Sequence, residues 1–275
     1  MSDYEFPTAG PIKLYAELGK GSLSVRAEET TTTRVDVTGD GADEVRVTRE
    51  GDQVSIIAPH TRTGFLGREP SLEVEVWMPV DSQVMAKTGS ADVDLEGPVG
   101  AARVKTGSGD IGAELLGGPA ELESGSGDVR VGTAGAQLRV KTGSGDIRID
   151  HADEATAVST GSGDTEVGSA QGPLAVKSGS GDLTLADGHS DISFSTGSGD
   201  LQIGTAHRGR LTAKGASGDF RVGVPEGLPV WTDIYTVTGE IRSDLIGAGQ
   251  PADDDADRLE IRAKTVSGDI DLRQR

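Results

Sequence analysis

The 275-residue sequence contains no cysteine, and only 3% of its residues are aromatic. The missing cysteine excludes disulfides and thiolate metal sites. Because few bulky side chains are available for one thick core, the chain needs an architecture that buries little apolar volume per residue. There is also no apolar run of membrane-spanning length and no secretory signal at residues 1–7. We therefore expect a cytoplasmic protein without direct membrane insertion.

Basic residues are also scarce. The 26 Lys and Arg residues face 45 Asp and Glu residues, which gives a formal net charge of −19. Nucleic-acid backbones and anionic membrane surfaces repel such a chain, so we exclude both as partners. A high negative charge also helps to keep a strand-rich protein in solution.

Glycine is abundant, with 41 residues, and many of these belong to one repeat. The tetrapeptide Gly-Ser-Gly-Asp, or a close variant, ends at positions 18 residues apart: Asp92, Asp110, Asp128, Asp146, Asp164, Asp182 and Asp200. Looser copies end at Asp219, Glu240 and Asp269. Seven copies in strict register indicate a repeat architecture.

Apolar residues alternate with polar ones on both sides of each copy. In the first copy Val93 and Leu95 stand one and three residues after the Asp, and Val84 and Ala86 stand eight and six residues before it. This period of two predicts strands with one inward face. We predict an all-β, single-stranded parallel β-helix (a β-solenoid) of about ten 18-residue coils, with right-handed crossovers and stacked ladders of inward side chains.

The two ends of the chain depart from the strict repeat. Residues 1–80 contain alternating strands without the motif, and we expect them to form a β-rich cap, partly antiparallel, that is continuous with the solenoid. Residues 81–275 then form the solenoid. The Gly- and Asp-rich stretch at 247–257 predicts an acidic loop inserted before the last coil.

The repeats resemble a bacterial family of β-helix domains known as "putative adhesin" and of unknown function. The resemblance rests on the unit Thr/Ser-Gly-Ser-Gly-Asp-(Ile/Leu/Val)-x-(Ile/Val/Leu) and on the strand-rich N-terminal lead-in, and it covers essentially the whole chain. It implies the β-helix fold and a place at or near the cell envelope. It implies no particular activity.

The row of motif aspartates can be interpreted in two ways. Stacked coils would bring their carboxylates together as oxygen ligands for calcium, at Asp110, Asp128, Asp146, Asp164, Asp182 and Asp200. Alternatively, each Asp accepts hydrogen bonds from nearby turn N–H groups while the flanking glycines supply positive φ, and we favour this structural role. The structural turn glycines are then Gly107, Gly125, Gly143, Gly161, Gly179 and Gly197.

Two further groups are candidate sites. Trp231 and Tyr235 lie near the irregular C-terminal coils and are the candidates for a local binding spot, although the alternative that they plug the widening end of the core is favoured. His189 and His207 are 18 residues apart and should stack in neighbouring coils, forming an incomplete metal site or simply exposed loop residues.

These features favour a non-enzymatic structural or interaction protein. Its β-helix would present a repetitive acidic surface to an unknown protein or cell-envelope component, without a cofactor. A calcium-binding module of the β-roll type is one alternative. A carbohydrate-active β-helix enzyme is a second, which the scarcity of sugar-stacking aromatic residues makes less favourable.

Overall fold

The computed structural model describes residues 1–59, 71–245 and 258–275, so the acidic loop predicted at 247–257 lies outside the described residues. Within those ranges the chain is all-β except for one 3₁₀ helix at Ala42–Glu44. It separates into two compact units, Met1–Thr142 and Gly143–Arg275. The expected division into a β-rich cap at 1–80, continuous with the solenoid, and a solenoid at 81–275 remains a prediction.

The first unit contains fourteen of the described strands. They are β1 Ser2–Pro7, β2 Lys13–Leu18, β3 Lys20–Glu28, β4 Thr32–Gly39, β5 Arg46–Glu50, β6 Gln53–Ile57, β7 Ser71–Pro79, β8 Gln83–Thr88, β9 Asp92–Val99, β10 Ala102–Thr106, β11 Ile111–Leu116, β12 Ala120–Ser124, β13 Val129–Ala134 and β14 Leu138–Thr142.

The second unit contains the other thirteen described strands. They are β15 Ile147–Ala152, β16 Thr156–Thr160, β17 Thr165–Ala170, β18 Leu174–Ser178, β19 Leu183–Gly188, β20 Ile192–Ser195, β21 Leu201–Ala206, β22 Gly209–Lys214, β23 Phe220–Val224, β24 Val230–Thr236, β25 Ile241–Ser243, β26 Leu259–Thr265 and β27 Ile270–Gln274.

Each repeat forms one coil: a pre-turn strand, the motif turn and a post-turn strand. Pre-turn strands pair in parallel with pre-turn strands of neighbouring coils, and post-turn strands with post-turn strands, so each unit contains a pre-turn sheet and a post-turn sheet. Equivalent residues are in register: Val104 lies beside Leu122, and Ile111 beside Val129. The predicted β-solenoid is confirmed.

The interior consists mainly of ladders of aliphatic side chains. Val104, Leu122 and Val140 follow one another on adjacent pre-turn strands, and each is fully buried. Where the interior of the second unit holds aromatic rings, Phe194 and Phe220 meet edge to face with centroids 6.4 Å apart. A narrow interior of this kind explains how so few aromatic residues suffice.

In the first unit the stacking order differs from the chain order. The coil formed by β2 and β3 lies between the coil of β6 and β7 and the coil of β8 and β9. The antiparallel pairs also lie here: β1 with β4, β4 with β7, and β5 with β6. Residues 13–28 thus form a coil in register with the repeat, although they lack its motif.

The second unit has a matching exchange at its C-terminal end. The coil of β26 and β27, last in the sequence, pairs with β22 and β23 on one side and with β24 and β25 on the other. The terminal coil of this unit, residues 230–243, is therefore formed by β24 and β25. The three looser motif copies stack in the order Asp219, Asp269, Glu240 rather than in sequence order.

Candidate functional site

The motif aspartates cap the backbone of the following coil. Oδ1 of Asp92 accepts a hydrogen bond of 2.9 Å from the backbone N–H of Asp110, and Oδ1 of Asp110 accepts one of 2.8 Å from that of Asp128. In the second unit the same bond joins Asp146 to Asp164, Asp164 to Asp182, Asp182 to Asp200, and Asp200 to Asp219. Each carboxylate thus compensates for the loss of hydration at its neighbour's N–H, which is the structural role that we favoured.

In most of the strict copies, the residue four positions before the Asp closes the turn from within. Oγ1 of Thr106 accepts a 2.9 Å hydrogen bond from the N–H of Gly109, and Oγ1 of Thr160 accepts one of 3.0 Å from Gly163. Ser124 and Ser178 act in the same way. A buried hydroxyl therefore explains why the motif begins with Thr or Ser.

The glycine interpretation needs a correction. Gly107, Gly125, Gly143, Gly161, Gly179 and Gly197 do not have positive φ; among the motif glycines described, positive φ occurs at Gly218 and Gly268 of the looser copies. Coil stacking excludes a side chain instead. A Cβ on Gly125 would lie 2.2 Å from the carbonyl oxygen of Gly107, and one on Gly181 would lie 2.0 Å from that of Gly163. The turns approach so closely that only hydrogen fits.

The calcium interpretation assigns a second role to carboxylates that already serve the backbone. Among the residues with described positions, no group of three or more His, Asp or Glu side chains is arranged to hold a metal ion. Asp110, Asp128, Asp146, Asp164, Asp182 and Asp200 as calcium ligands remain a prediction.

Trp231 and Tyr235 lie on β24, the edge strand of the pre-turn sheet in the second unit. Their side chains point away from the interior and are 54% and 58% exposed, so they do not plug the core. The guanidinium of Arg262 lies 5.6 Å from the Trp231 ring centroid, a cation–π contact. As a binding spot the two residues remain a prediction.

His189 and His207 stack as expected, with centroids 4.2 Å apart and planes 4° from parallel. Nε2 of His207 lies 3.4 Å from Oδ1 of Asp187. Burial, followed by the neighbouring His207, lowers the pKa of His189, while Asp187 acts in the opposite direction. The pair is thus a stacked, partly buried contact in which the neutral imidazole of His189 is favoured.

The two faces of the first unit carry opposite charge. On strands β3, β7, β9, β11 and β13 of the post-turn sheet, seven acidic side chains face outward against three basic ones: Glu28, Glu73, Glu75, Asp92, Asp94, Glu96 and Glu114 against Lys20, Arg26 and Arg130. On β2, β8, β10, β12 and β14 of the pre-turn sheet, six basic side chains face outward against three acidic ones: Lys13, Lys87, Arg103, Lys105, Arg139 and Lys141 against Glu17, Glu121 and Glu123.

We call these the acidic face and the basic face of the first unit. Sequence reasoning missed the separation, because it considered the motif aspartates alone and not the other charged residues at outward positions. Counting charge separately at the outward positions before and after the turn would have revealed it.

Two carboxylates show how different the faces are. On the acidic face, burial and then the carboxylates of Asp92, Glu96 and Asp110 raise the pKa of Asp94. On the basic face, hydrogen bonds from Lys141 and Lys105 lower the pKa of Glu123, whose carboxylate oxygens lie 3.0 and 3.1 Å from the two ammonium groups. Acidic charge is crowded on one face and neutralised on the other.

The family of the chain follows from its sequence and agrees with this architecture. The model of the family Toastrack DUF4097 matches residues 13–273, so the chain belongs to that family. No curated protein matches the chain. Across the described ranges, no helix combines the length and the apolar character that a membrane span requires.

Solved structures of low identity also resemble the chain. One is a "putative adhesin" from Parabacteroides merdae ATCC 43184, with 14% identity, a TM-score of 0.44, and 99% of this chain and 95% of that chain covered. Another is a "putative adhesin" from Bacteroides fragilis NCTC 9343, with 12% identity, a TM-score of 0.38, and coverage of 99% and 96%. A third is a "putative lipid binding protein" from Parabacteroides distasonis ATCC 8503, with 13% identity, a TM-score of 0.36, and coverage of 99% and 96%.

Proposed function

We propose that the chain is a non-enzymatic interaction protein whose β-solenoid presents a repetitive acidic surface to a macromolecular partner. The observation that carries this proposal is the acidic face of the first unit. Outward carboxylates recur there on consecutive strands, so that a partner meets the same charge repeatedly along the stacking direction.

The crowding of these carboxylates opposes folding. Like charges on neighbouring strands repel, and the raised pKa of Asp94 reports that repulsion together with burial. Arg26 pairs with Glu96 at 2.9 Å, and Arg130 pairs with Asp128 at 2.9 Å, so the basic residues of the face neutralise only part of the charge. A surface that retains this unfavourable charge suits a basic partner, most simply a Lys- and Arg-rich protein surface.

Capture of binding partners from a lysate of the source cells tests the proposal. The full chain is compared with an acidic-face variant, Glu73→Gln/Glu75→Gln/Asp94→Asn, and with a matched basic-face variant, Lys87→Gln/Lys105→Gln/Lys141→Gln. We expect a partner retained by the wild type and the basic-face variant, released by added salt, and lost from the acidic-face variant. Equal capture by all three proteins would contradict the proposal.

A generic probe gives an independent measurement. Binding of a fluorescent oligolysine peptide should weaken several-fold in the acidic-face variant. The salt dependence of binding should be no steeper in either variant than in the wild type. Unchanged binding in the acidic-face variant would show that these carboxylates do not form the attractive surface.

The compartment and the calcium alternative are tested separately. The cytoplasmic location expected from the sequence remains a prediction that fractionation of the source cells checks.

If the motif aspartates bind calcium, millimolar calcium should raise the melting temperature of the full chain and a chelator should reverse the shift. Because their Oδ1 atoms already cap the next coil, we expect no shift.

A further inference from the structure

A groove of about 640 Å³ crosses the basic face of the first unit. Its lining comes from β2, β6, β8, β10, β12 and β14 and from the turns that precede some of them. From β2 to β14 there are four strand spacings, about 19 Å at roughly 4.8 Å each. The groove is therefore longer than one small ring and has the volume of a ligand site.

The floor of the groove offers one aromatic and one thioether surface. Tyr15 is half-buried, and its hydroxyl donates a 2.7 Å hydrogen bond to Oε2 of Glu17, which raises the pKa of Tyr15 and holds the ring in place. Met85 lies beside Tyr15 on the adjacent strand and is 42% exposed. The ammonium of Lys87 lies 5.9 Å from the centroid of this ring, and the ring surface that it leaves open, together with the thioether of Met85, suits the apolar face of a flat ligand.

A positively charged side chain without a partner lies at the other end of the groove. Arg103 pairs with Glu121 at 3.2 Å, and Glu121 lies directly beside Arg139 on the next strand. Within the described part of the chain, the side chain of Arg139 has no ion pair or hydrogen bond. Its guanidinium is therefore free to bind a carboxylate with two parallel hydrogen bonds.

The remaining polar lining consists largely of side-chain amides. Gln83 and Gln137 line the groove, and both are exposed. Amides donate and accept hydrogen bonds, so they suit hydroxyl groups, whereas an aliphatic chain would leave them without partners. A ligand that fits these features has an apolar ring face, hydroxyl groups and a carboxylate. An acidic sugar has all three.

We propose that this groove binds a segment of an acidic polysaccharide that carries uronate residues. One sugar ring lies against Tyr15 and Met85, hydroxyls bond to the glutamine amides, and a uronate carboxylate pairs with Arg139. The length of the groove favours several linked sugars over a single one. The site lies on the face opposite in charge to the proposed protein-binding surface and does not depend on it.

Titration calorimetry with tetragalacturonate as the probe tests this site in the full chain. We expect binding by the wild type, at least tenfold weaker binding by Arg139→Gln, and a similar loss in Tyr15→Ala. The control Lys177→Gln, which removes an exposed basic residue from the pre-turn sheet of the second unit, should bind like the wild type. Melting curves of all variants exclude loss of folding as the cause.

Two comparison ligands sharpen the result. A neutral tetrasaccharide should bind at least tenfold more weakly, because it lacks the carboxylate. Monomeric galacturonate should also bind more weakly, because it occupies only part of the groove. No binding by the wild type at millimolar probe, an equal loss in Lys177→Gln, or equal affinity for the neutral or monomeric ligand would overturn the proposal. The acidic-face variant should retain binding, so this outcome is independent of the proposed function.

Discussion

Within the second unit, an internal coil and the terminal coil carry the same repeat under different constraints. The coil of β18 and β19 has a neighbour on both sides, whereas the coil of β24 and β25 has one neighbour among the described strands. Leu183, an inward residue of the internal coil, is fully buried, but the equivalent inward residue Ile241 is 43% exposed. The inward residues of a coil are fully buried where a neighbouring coil packs on each side.

The motif shows the same difference. Asp182 accepts a hydrogen bond from the next coil, at the N–H of Asp200. At the equivalent position of the terminal coil stands Glu240, whose N–H donates to Asp269 but whose carboxylate accepts from Arg242. Asp is present where the next coil has an N–H group to be capped. The longer Glu240 occurs where no described coil follows.

Core truncation should give the largest contrast. Leu183→Ala removes a fully buried side chain between Thr165 and Leu201, and we expect a loss of about 3 kcal/mol in the free energy of unfolding. Ile241→Ala removes a half-exposed side chain, so its cost should stay below about 1 kcal/mol. Urea unfolding of the two variants measures both. Similar losses would mean that the terminal coil is as tightly packed as the internal one.

Substitution of a turn glycine by alanine should have the next largest effect on stability. Gly181→Ala places a Cβ about 2 Å from the carbonyl oxygen of Gly163, and the coils on both sides prevent relief, so we expect a cost of about 3 kcal/mol. Gly239→Ala makes an equally close approach to Gly268, at 1.8 Å. There the terminal coil can move outward, and about 1 kcal/mol should be lost. Melting curves that rank the two in reverse would contradict this reasoning.

Removal of the capping carboxylate tests the motif itself. Asp182→Ala leaves the N–H of Asp200 without its acceptor, for an expected cost of about 1–2 kcal/mol. Glu240→Ala should change stability by less than about 0.5 kcal/mol, since it removes only an exposed pair with Arg242. Chemical denaturation in low salt provides the comparison. An equal cost for both would show that the carboxylates act through general charge and not through capping.

One substitution should stabilise the protein. Thr165 occupies an inward position between Ile147 and Leu183, and its buried hydroxyl has no hydrogen-bond partner among the described residues. Thr165→Val keeps the shape and removes the unpaired oxygen, for a gain of about 1 kcal/mol. Thr232, an inward residue of the terminal coil, is exposed, and its replacement by Val should have little effect. A loss of stability in Thr165→Val would point to a bound water at that hydroxyl.

The smallest expected effect is a dependence on pH. The pKa of His189 is lowered by burial and then by His207, so this histidine stabilises the fold above its unfolded pKa near 6.5 and loses that contribution as pH falls toward the folded value. Glu260, next to the terminal coil, has its pKa lowered by Arg210 and loses its contribution only below about 4.5. Protection from hydrogen exchange, expressed relative to the intrinsic rate at each pH, should therefore fall between pH 7 and 5.5 in peptides containing His189, and not in His189→Gln.

Sequence reasoning succeeded where spacing alone sets the contact. A period of 18 residues places Val104 beside Leu122 and His189 beside His207, because identical coils stack residue over residue. It failed in two ways at the turns and faces. The glycines were assigned to positive φ, whereas the close approach of the next coil requires them, and charge was not separated between the two sheets.

The sequence by itself determined the coil: its length, its inward residues, its Thr/Ser-Gly-Ser-Gly-Asp turn and the pairing of each strict repeat with the next. Only the tertiary structure decided that the coil of β2 and β3 and the coil of β26 and β27 each insert between two coils that follow one another in the chain. The physical reason is that every coil offers the same backbone edges. Where the motif loosens, strand edges alone do not specify which coil comes next, and packing and capping settle the order.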